Sequence, residues 1–168
     1  MKKLVILTLL LSSFVGWCQN PAAFDHFDKA YKKSSNGDYK GSIVDYTKAI
    51  NIDPSFMEAY LNRAVSKQNI GDLKGALDDV NKVIAKDPKK ADAYTTRANI
   101  NYKLMDYKSV ISDCTMSIKI NPSDYIAYNL RALANNRLGD KKSACADFTK
   151  AIELGSQSAI QNKKTFCK

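Results

Sequence analysis

Four stretches of the chain fall into register without a gap: GDYKGSIVDYTKAINIDP (37–54), GDLKGALDDVNKVIAKDP (71–88), MDYKSVISDCTMSIKINP (105–122) and GDKKSACADFTKAIELGS (139–156). Their starts are 34 residues apart each time. A fixed period between about 20 and 50 residues signals a unit that cannot bury its apolar face alone and must stack on copies of itself. Any reading of function therefore begins from a stack.

Residues 57–90 show how one unit works. Apolar or small residues fall at Met57, Tyr60, Leu61, Ala64 and Val65, and again at Leu73, Ala76, Leu77, Val80, Val83 and Ile84. Both sets follow the i, i+3, i+4, i+7 spacing of an amphipathic helix, so each unit is a helical hairpin. Gly71 sits where the first helix must stop in a left-handed conformation, and Asp72 follows as N-cap of the second. Pro88 ends the second helix and forces an extended link. Ala30, Ala64, Ala98 and Ala132 share one place in all four units, and Ser42, Ala76 and Ala144 share a second. Side chains of that size let helix axes approach to about 8–10 Å. Ile50, Ile84, Ile118 and Ile152 are expected in the core. Met105 breaks the pattern, standing where the other units have glycine.

The chain is 45% hydrophobic and 26% charged, which suits a folded domain rather than a disordered one. Its N-terminus is a different material. Lys2 and Lys3 precede an apolar run from Leu4 to Leu11, then small and polar residues up to Cys18. This reads as a secretory signal peptide over 1–18, too short for a membrane span. A competing reading makes Cys18 a lipidated cysteine, against which the large Trp17 stands. Loss of Lys2 and Lys3 leaves 24 basic residues against 17 acidic ones, a net of +7. The lysines are scattered in short pairs, so the surplus reads as solubility and weak attraction to acidic surfaces rather than a nucleic-acid site.

Cys114, Cys145 and Cys167 fit no zinc or redox spacing, and His26 is the only histidine. No metal or cofactor is expected. Export would permit a disulfide. Cys145 occupies the place of Ile43, Leu77 and Ile111, which should face the next helix of the stack, and after Cys145 that helix carries Cys167. A Cys145–Cys167 bond is the expectation, with Cys114 a buried thiol; the alternative is three free, buried thiols.

A charged recurrence accompanies the apolar one. Arg63, Arg97 and Arg131 each precede an aspartate, Asp79, Asp113 or Asp147, by 16 residues, which places the two across one hairpin. A repeated internal ion pair explains both spacings; an arginine ladder for anionic ligands explains only one. Asp25 and Asp28 flank His26, but no Gly-rich phosphate loop, serine elbow or paired-carboxylate motif accompanies them. The residues give no support to catalysis.

Tyr60, Ala64, Gly71, Ala76, Val80, Val83 and Pro88, with Tyr94, Ala98, Val110, Cys114, Ser117 and Pro122 in the following unit, resemble the tetratricopeptide repeat (TPR). The resemblance covers residues 23–158 in units 23–56, 57–90, 91–124 and 125–158, after a short linker at 19–22. A capping helix and C-terminus would occupy 156–168. His26 replaces the tyrosine of the other units, and Gly155-Ser156 replaces the final Asp-Pro. The family's fold is all-α, a right-handed superhelix whose first helices line a concave groove that takes an extended peptide or a helix. Carried over by position, that groove would be lined by Phe27, Tyr31, Leu61, Val65, Thr95, Asn99, Tyr102, Asn129, Leu133 and Asn136, a set without charge.

The family's carboxylate clamp for acidic chaperone tails needs Lys and Asn, then Asn, then Lys and Arg. This chain offers Phe27 and Tyr31, then Asn62, then Asp92 and Thr96, which argues against that ligand. The expectation is a non-enzymatic scaffold of the bacterial cell envelope, periplasmic or secreted, that binds a protein or peptide. Its alternatives are a basic module docking on anionic surface polymer or lipid, and an accessory subunit of an envelope enzyme. No nucleic acid and no membrane span are expected.

Overall fold

The computed structural model of the chain describes residues 20–167; the expected signal segment and Cys18 lie outside the described residues. These form nine α-helices and no strand. They are α1 (Pro21–Ser35), α2 (Tyr39–Ile52), α3 (Met57–Asn69), α4 (Leu73–Lys86), α5 (Ala91–Lys103), α6 (Tyr107–Ile120), α7 (Tyr125–Arg137), α8 (Lys141–Glu153) and α9 (Gln157–Phe166). Consecutive helices pair as hairpins, and each first helix also packs on the first helix of the next hairpin, which gives a superhelical stack. None of the helices is long and apolar enough to cross a membrane.

Each hairpin is punctuated by the same chemistry. Asp38, Asp72, Asp106 and Asp140 accept the N–H of Gly41, Gly75, Ser109 and Ser143, satisfying a donor that a helix start leaves free. Gly37, Gly71 and Gly139 sit at φ 81°, 84° and 87°, and Met105 adopts φ 61° in the same place. Asp53, Asp87 and Asn121, each before a proline, are driven to φ between −133° and −126°, so the second helices end there. α1 starts at Pro21, inside the stretch expected to be linker. Asn20 accepts the Ala22 N–H, and proline is pre-organised for a first turn.

The core is continuous along the stack. Ala30, Ala64, Ala98 and Ala132 are fully buried where neighbouring helices meet, as are Ser42, Ala76, Val110 and Ala144. Tyr46, Val80, Cys114 and Phe148 fill one register position with side chains of different size. Of the four isoleucines expected in the core, Ile50 is buried, while Ile84, Ile118 and Ile152 pack against its edge and stay half-buried.

Arginine joins the units in two directions. Arg63 Nε and Nη2 hold both carboxylate oxygens of Asp79 at 2.8 and 2.7 Å, and its Nη1 donates to Thr47 Oγ1 of the preceding hairpin at 2.9 Å. Arg97 repeats this with Asp113 and Asn81, and Arg131 with Asp147 and Thr115. Each guanidinium also lies 5.4–5.6 Å from the ring centre of Tyr60, Tyr94 or Tyr128. The carboxylates of Asp113 and Asp147 raise the pKa of Arg97 and Arg131 respectively.

The first hairpin departs from the rule. Lys29 stands in the arginine position and pairs outward with Asp25, so Asp45 is held instead by Lys33 at 2.7 Å and Lys48 at 3.2 Å. The Lys33 ammonium keeps Asp45 below the usual carboxylate range. The outer face of this hairpin carries solvated i, i+4 pairs, Lys29–Asp25 and Lys32–Asp28.

Two outcomes are expected. Asp79→Ala strands the buried Arg63 guanidinium and should cost about 3–5 kcal/mol in a urea titration, whereas Asp25→Ala should leave the midpoint where it is. Met105→Gly should stabilise by about 1 kcal/mol in the same titration, because Met105 is 73% exposed and gains no packing for its left-handed backbone.

Candidate functional site

The first helices of the hairpins, α1, α3, α5 and α7, present one face away from α2, α4, α6 and α8. At i, i+3, i+4, i+7 spacing that face carries Phe24, Phe27, Asp28 and Tyr31 on α1, and Glu58, Leu61, Asn62 and Val65 on α3. α5 continues it with Asp92, Thr95, Thr96 and Asn99, and α7 with Ile126, Asn129, Leu130 and Leu133. The helical period that builds the core thus also builds a continuous groove floor.

The residues expected to line the groove divide into free and consumed. Tyr31, Val65 and Asn99 are exposed, while Tyr102, Leu133 and Asn136 are half-buried. Among the described residues the side-chain amides of Asn99 and Asn136 have no hydrogen-bond partner. Leu61 and Thr95 are not free, being only 8% and 9% exposed. Leu61 packs into the core, while the hydroxyls of Thr95 and Ser117 both donate to Asp124 Oδ2, at 2.6 and 2.7 Å. That three-way knot ties α5, α6 and the start of α7. Phe27 is half-buried, its ring centre 4.8 Å from that of Phe56 and 5.6 Å from that of Tyr46.

Asn129 is taken as well. α9 packs on the last hairpin where a further first helix would stand, and Asn162 donates to Asn129 Oδ1 at 3.0 Å. Cys145 and Cys167 are joined by a disulfide, and Phe166 stacks on Phe148. Ala159 is the one residue of α9 that is buried, with Phe166 and Cys167 partly buried against the same cluster. Cys114 is a free, buried thiol whose pKa burial pushes up to about 12.

The expectation of an uncharged groove needs correction. Between α3 and α5 lies a cleft of about 230 Å³ lined by Glu58, Leu61, Asn62, Val65, Lys90, Asp92 and Thr96. Lys90 Nζ donates to Glu58 Oε1 at 3.1 Å across the two helix starts. At the far end Arg137 Nε reaches Tyr102 Oη at 3.4 Å, which raises the pKa of Arg137. Glu58 and Asp92 stand on the same stripe one turn before Leu61 and Thr95, and Lys90 and Arg137 add charge from the helix ends. His26 Nδ1 is buried without a hydrogen bond, 3.9 Å from Asp45, and no group of three metal-ligating side chains occurs among the described residues.

Comparison with known proteins places this geometry. Residues 34–71 match a family model described as TPR repeat, and residues 125–155 match one described as tetratricopeptide repeat. No curated protein matches the chain. Among solved structures, a thermophilic TPR protein of Thermus thermophilus superposes with a TM-score of 0.74 at 18% identity, covering 80% of this chain and 75% of that one. MamA from Desulfovibrio magneticus RS-1 gives 0.71 at 21% identity, covering 79% and 75%. The first TPR of Spaghetti (RPAP3), bound to the HSP90 peptide SRMEEVD, gives 0.67 at 23% identity, covering 70% of this chain and 94% of that one.

Replacing Cys145 with serine should release α9. Hydrogen exchange in 157–166 is expected to rise about tenfold or more while α3–α6 stay protected, in line with the roughly 2–4 kcal/mol that such a cross-link contributes. Unchanged exchange would show that packing alone holds the helix.

Proposed function

We propose that the chain, two stretches of which match tetratricopeptide-repeat models, is a tetratricopeptide-repeat protein and a non-enzymatic scaffold of the bacterial cell envelope that binds a segment of another protein along the groove. The observation that carries this reading is the row of unspent groups on the first helices. Tyr31 offers a rigid aromatic anchor, Asn99 and Asn136 offer free amides and Val65 offers aliphatic contact, with the half-buried Tyr102 and Leu133 presenting their outer edges beside them. A structurally similar repeat array holds a peptide, which supports the same class of ligand here. That peptide's acidic character does not carry over, since Asp92 and Thr96 replace the bases of a carboxylate clamp. The export reading rests on Lys2, Lys3 and the apolar run that follows them.

A second reading, docking on an anionic polymer or lipid, draws on a shallow cleft of about 340 Å³ where Lys82 and Lys86 meet Tyr60, Met57 and Pro54. Lys82 Nζ lies 5.5 Å from the centre of the Tyr60 ring. Because the groove itself carries charge, salt sensitivity does not separate the two readings, but substitutions do. In affinity capture from an envelope extract, a protein recovered by the wild type should be lost with the Tyr102→Ala, Asn99→Ala double variant and retained with Lys82→Ala, Lys86→Ala. The opposite pattern would move the site to the lysine cleft.

A further inference from the structure

The donors and acceptors of the α3–α5 cleft are unequally spent. Asn62 Nδ2 donates to the Glu58 carbonyl at 3.0 Å, Thr96 Oγ1 donates to the Asp92 carbonyl at 2.7 Å, and Lys90 is engaged by Glu58. Asn62 Oδ1 and the Thr96 oxygen lone pairs stay open, and the Asp92 carboxylate, exposed, meets no cation among the described residues. Below them Leu61 and Val65 form an aliphatic floor. The cleft is therefore an acceptor-rich rim over an apolar base.

Helix formation does not require the acids. In the same register position as Glu58 and Asp92, α1 has Phe24 and α7 has Ile126, both half-exposed. Along one wall the groove thus reads apolar, acidic, acidic, apolar.

We propose that this stretch of groove selects a partner segment carrying lysine or arginine flanked by apolar residues, an inference that rests on the groove being the binding site. A long basic side chain lays its methylenes on Val65, above the edge of Leu61, and delivers its charged head to Asp92 and to the Glu58 oxygen that Lys90 leaves open. An acidic segment meets the uncompensated Asp92 carboxylate beside the Glu58–Lys90 pair, and a neutral one leaves the acceptors to water, so the preference is built by repulsion as well as attraction. Adjacent first helices lie about 10 Å apart and an extended chain advances roughly 3.3 Å per residue. One contact falls about every three residues, and the matching segment has two basic positions between two apolar ones at that spacing.

The test uses short fluorescent peptides with leucines at the outer positions and lysine, glutamine or glutamate at the two inner ones, titrated by anisotropy against the protein. The lysine peptide should bind about five- to tenfold tighter than the glutamine peptide, and the glutamate peptide weakest. Asp92→Asn should shrink the lysine preference and Asp92→Lys should reverse it, with thermal melts confirming that these exposed substitutions fold. Equal or tighter binding of the glutamine or glutamate peptide, abolished by Val65→Glu, overturns the basic preference and leaves the groove as a peptide site. A lysine preference that survives Asp92→Lys also overturns the inference. No binding by any of the three peptides overturns it and counts against the groove as well.

Discussion

A guanidinium that faces two ways holds this molecule in register. Arg63, Arg97 and Arg131 each grip the aspartate of their own hairpin with two parallel hydrogen bonds and a side chain of the hairpin before with a third. Planar geometry makes this possible: a bidentate fork leaves one terminal nitrogen pointing along the stack, which an ammonium cannot imitate. Burial makes it specific, because either partner left alone would be an unpaired charge. At the first unit lysine stands in the arginine's place and the charges turn to solvent.

With spacing set this way, the faces of α1, α3, α5 and α7 become one surface. Its composition reflects a division of labour between packing and recognition. Leu61, Thr95 and Asn129 are spent on holding neighbouring helices together, and Tyr31, Val65, Asn99 and Asn136 are left over. The disulfide-tethered α9 ends the surface by standing where another first helix would go. A groove made in this manner is stiff along its length and chemically varied across its width, which suits an extended partner better than a small molecule.

Much of the architecture is readable from spacing alone because every unit solves the same local problem in the same way. Asp72 caps, Gly71 turns left-handed and the residue before Pro88 is extended for reasons contained within a few residues of chain. The pairing of Cys145 with Cys167 lies one step further, since it needs only the register position of Cys145 and the identity of the next helix. What escapes a linear reading is set by contacts between units. The third bond of each arginine joins residues 16 apart in the other direction, Thr95 meets Asp124 across 29 residues, and Lys90 meets Glu58 across 32. Those distances depend on how far one hairpin rotates on the next, a quantity that periodicity does not contain. The acids of the groove are different: Glu58 and Asp92 sit one turn before Leu61 and Thr95 and are legible from the helical period, and only the pairing of Glu58 with Lys90 waits on α3 and α5 standing side by side.

The central claim is that partners are held by the concave face, and photo-crosslinking tests it most directly. A photoreactive residue placed at Val65, at Asn99, or at exposed Ala85 on α4 would be irradiated in an envelope extract and the adducts identified. Adducts of one protein from positions 65 and 99, with none from position 85, are the predicted result. Adducts formed only from position 85 would place recognition on the outer helices and contradict the account.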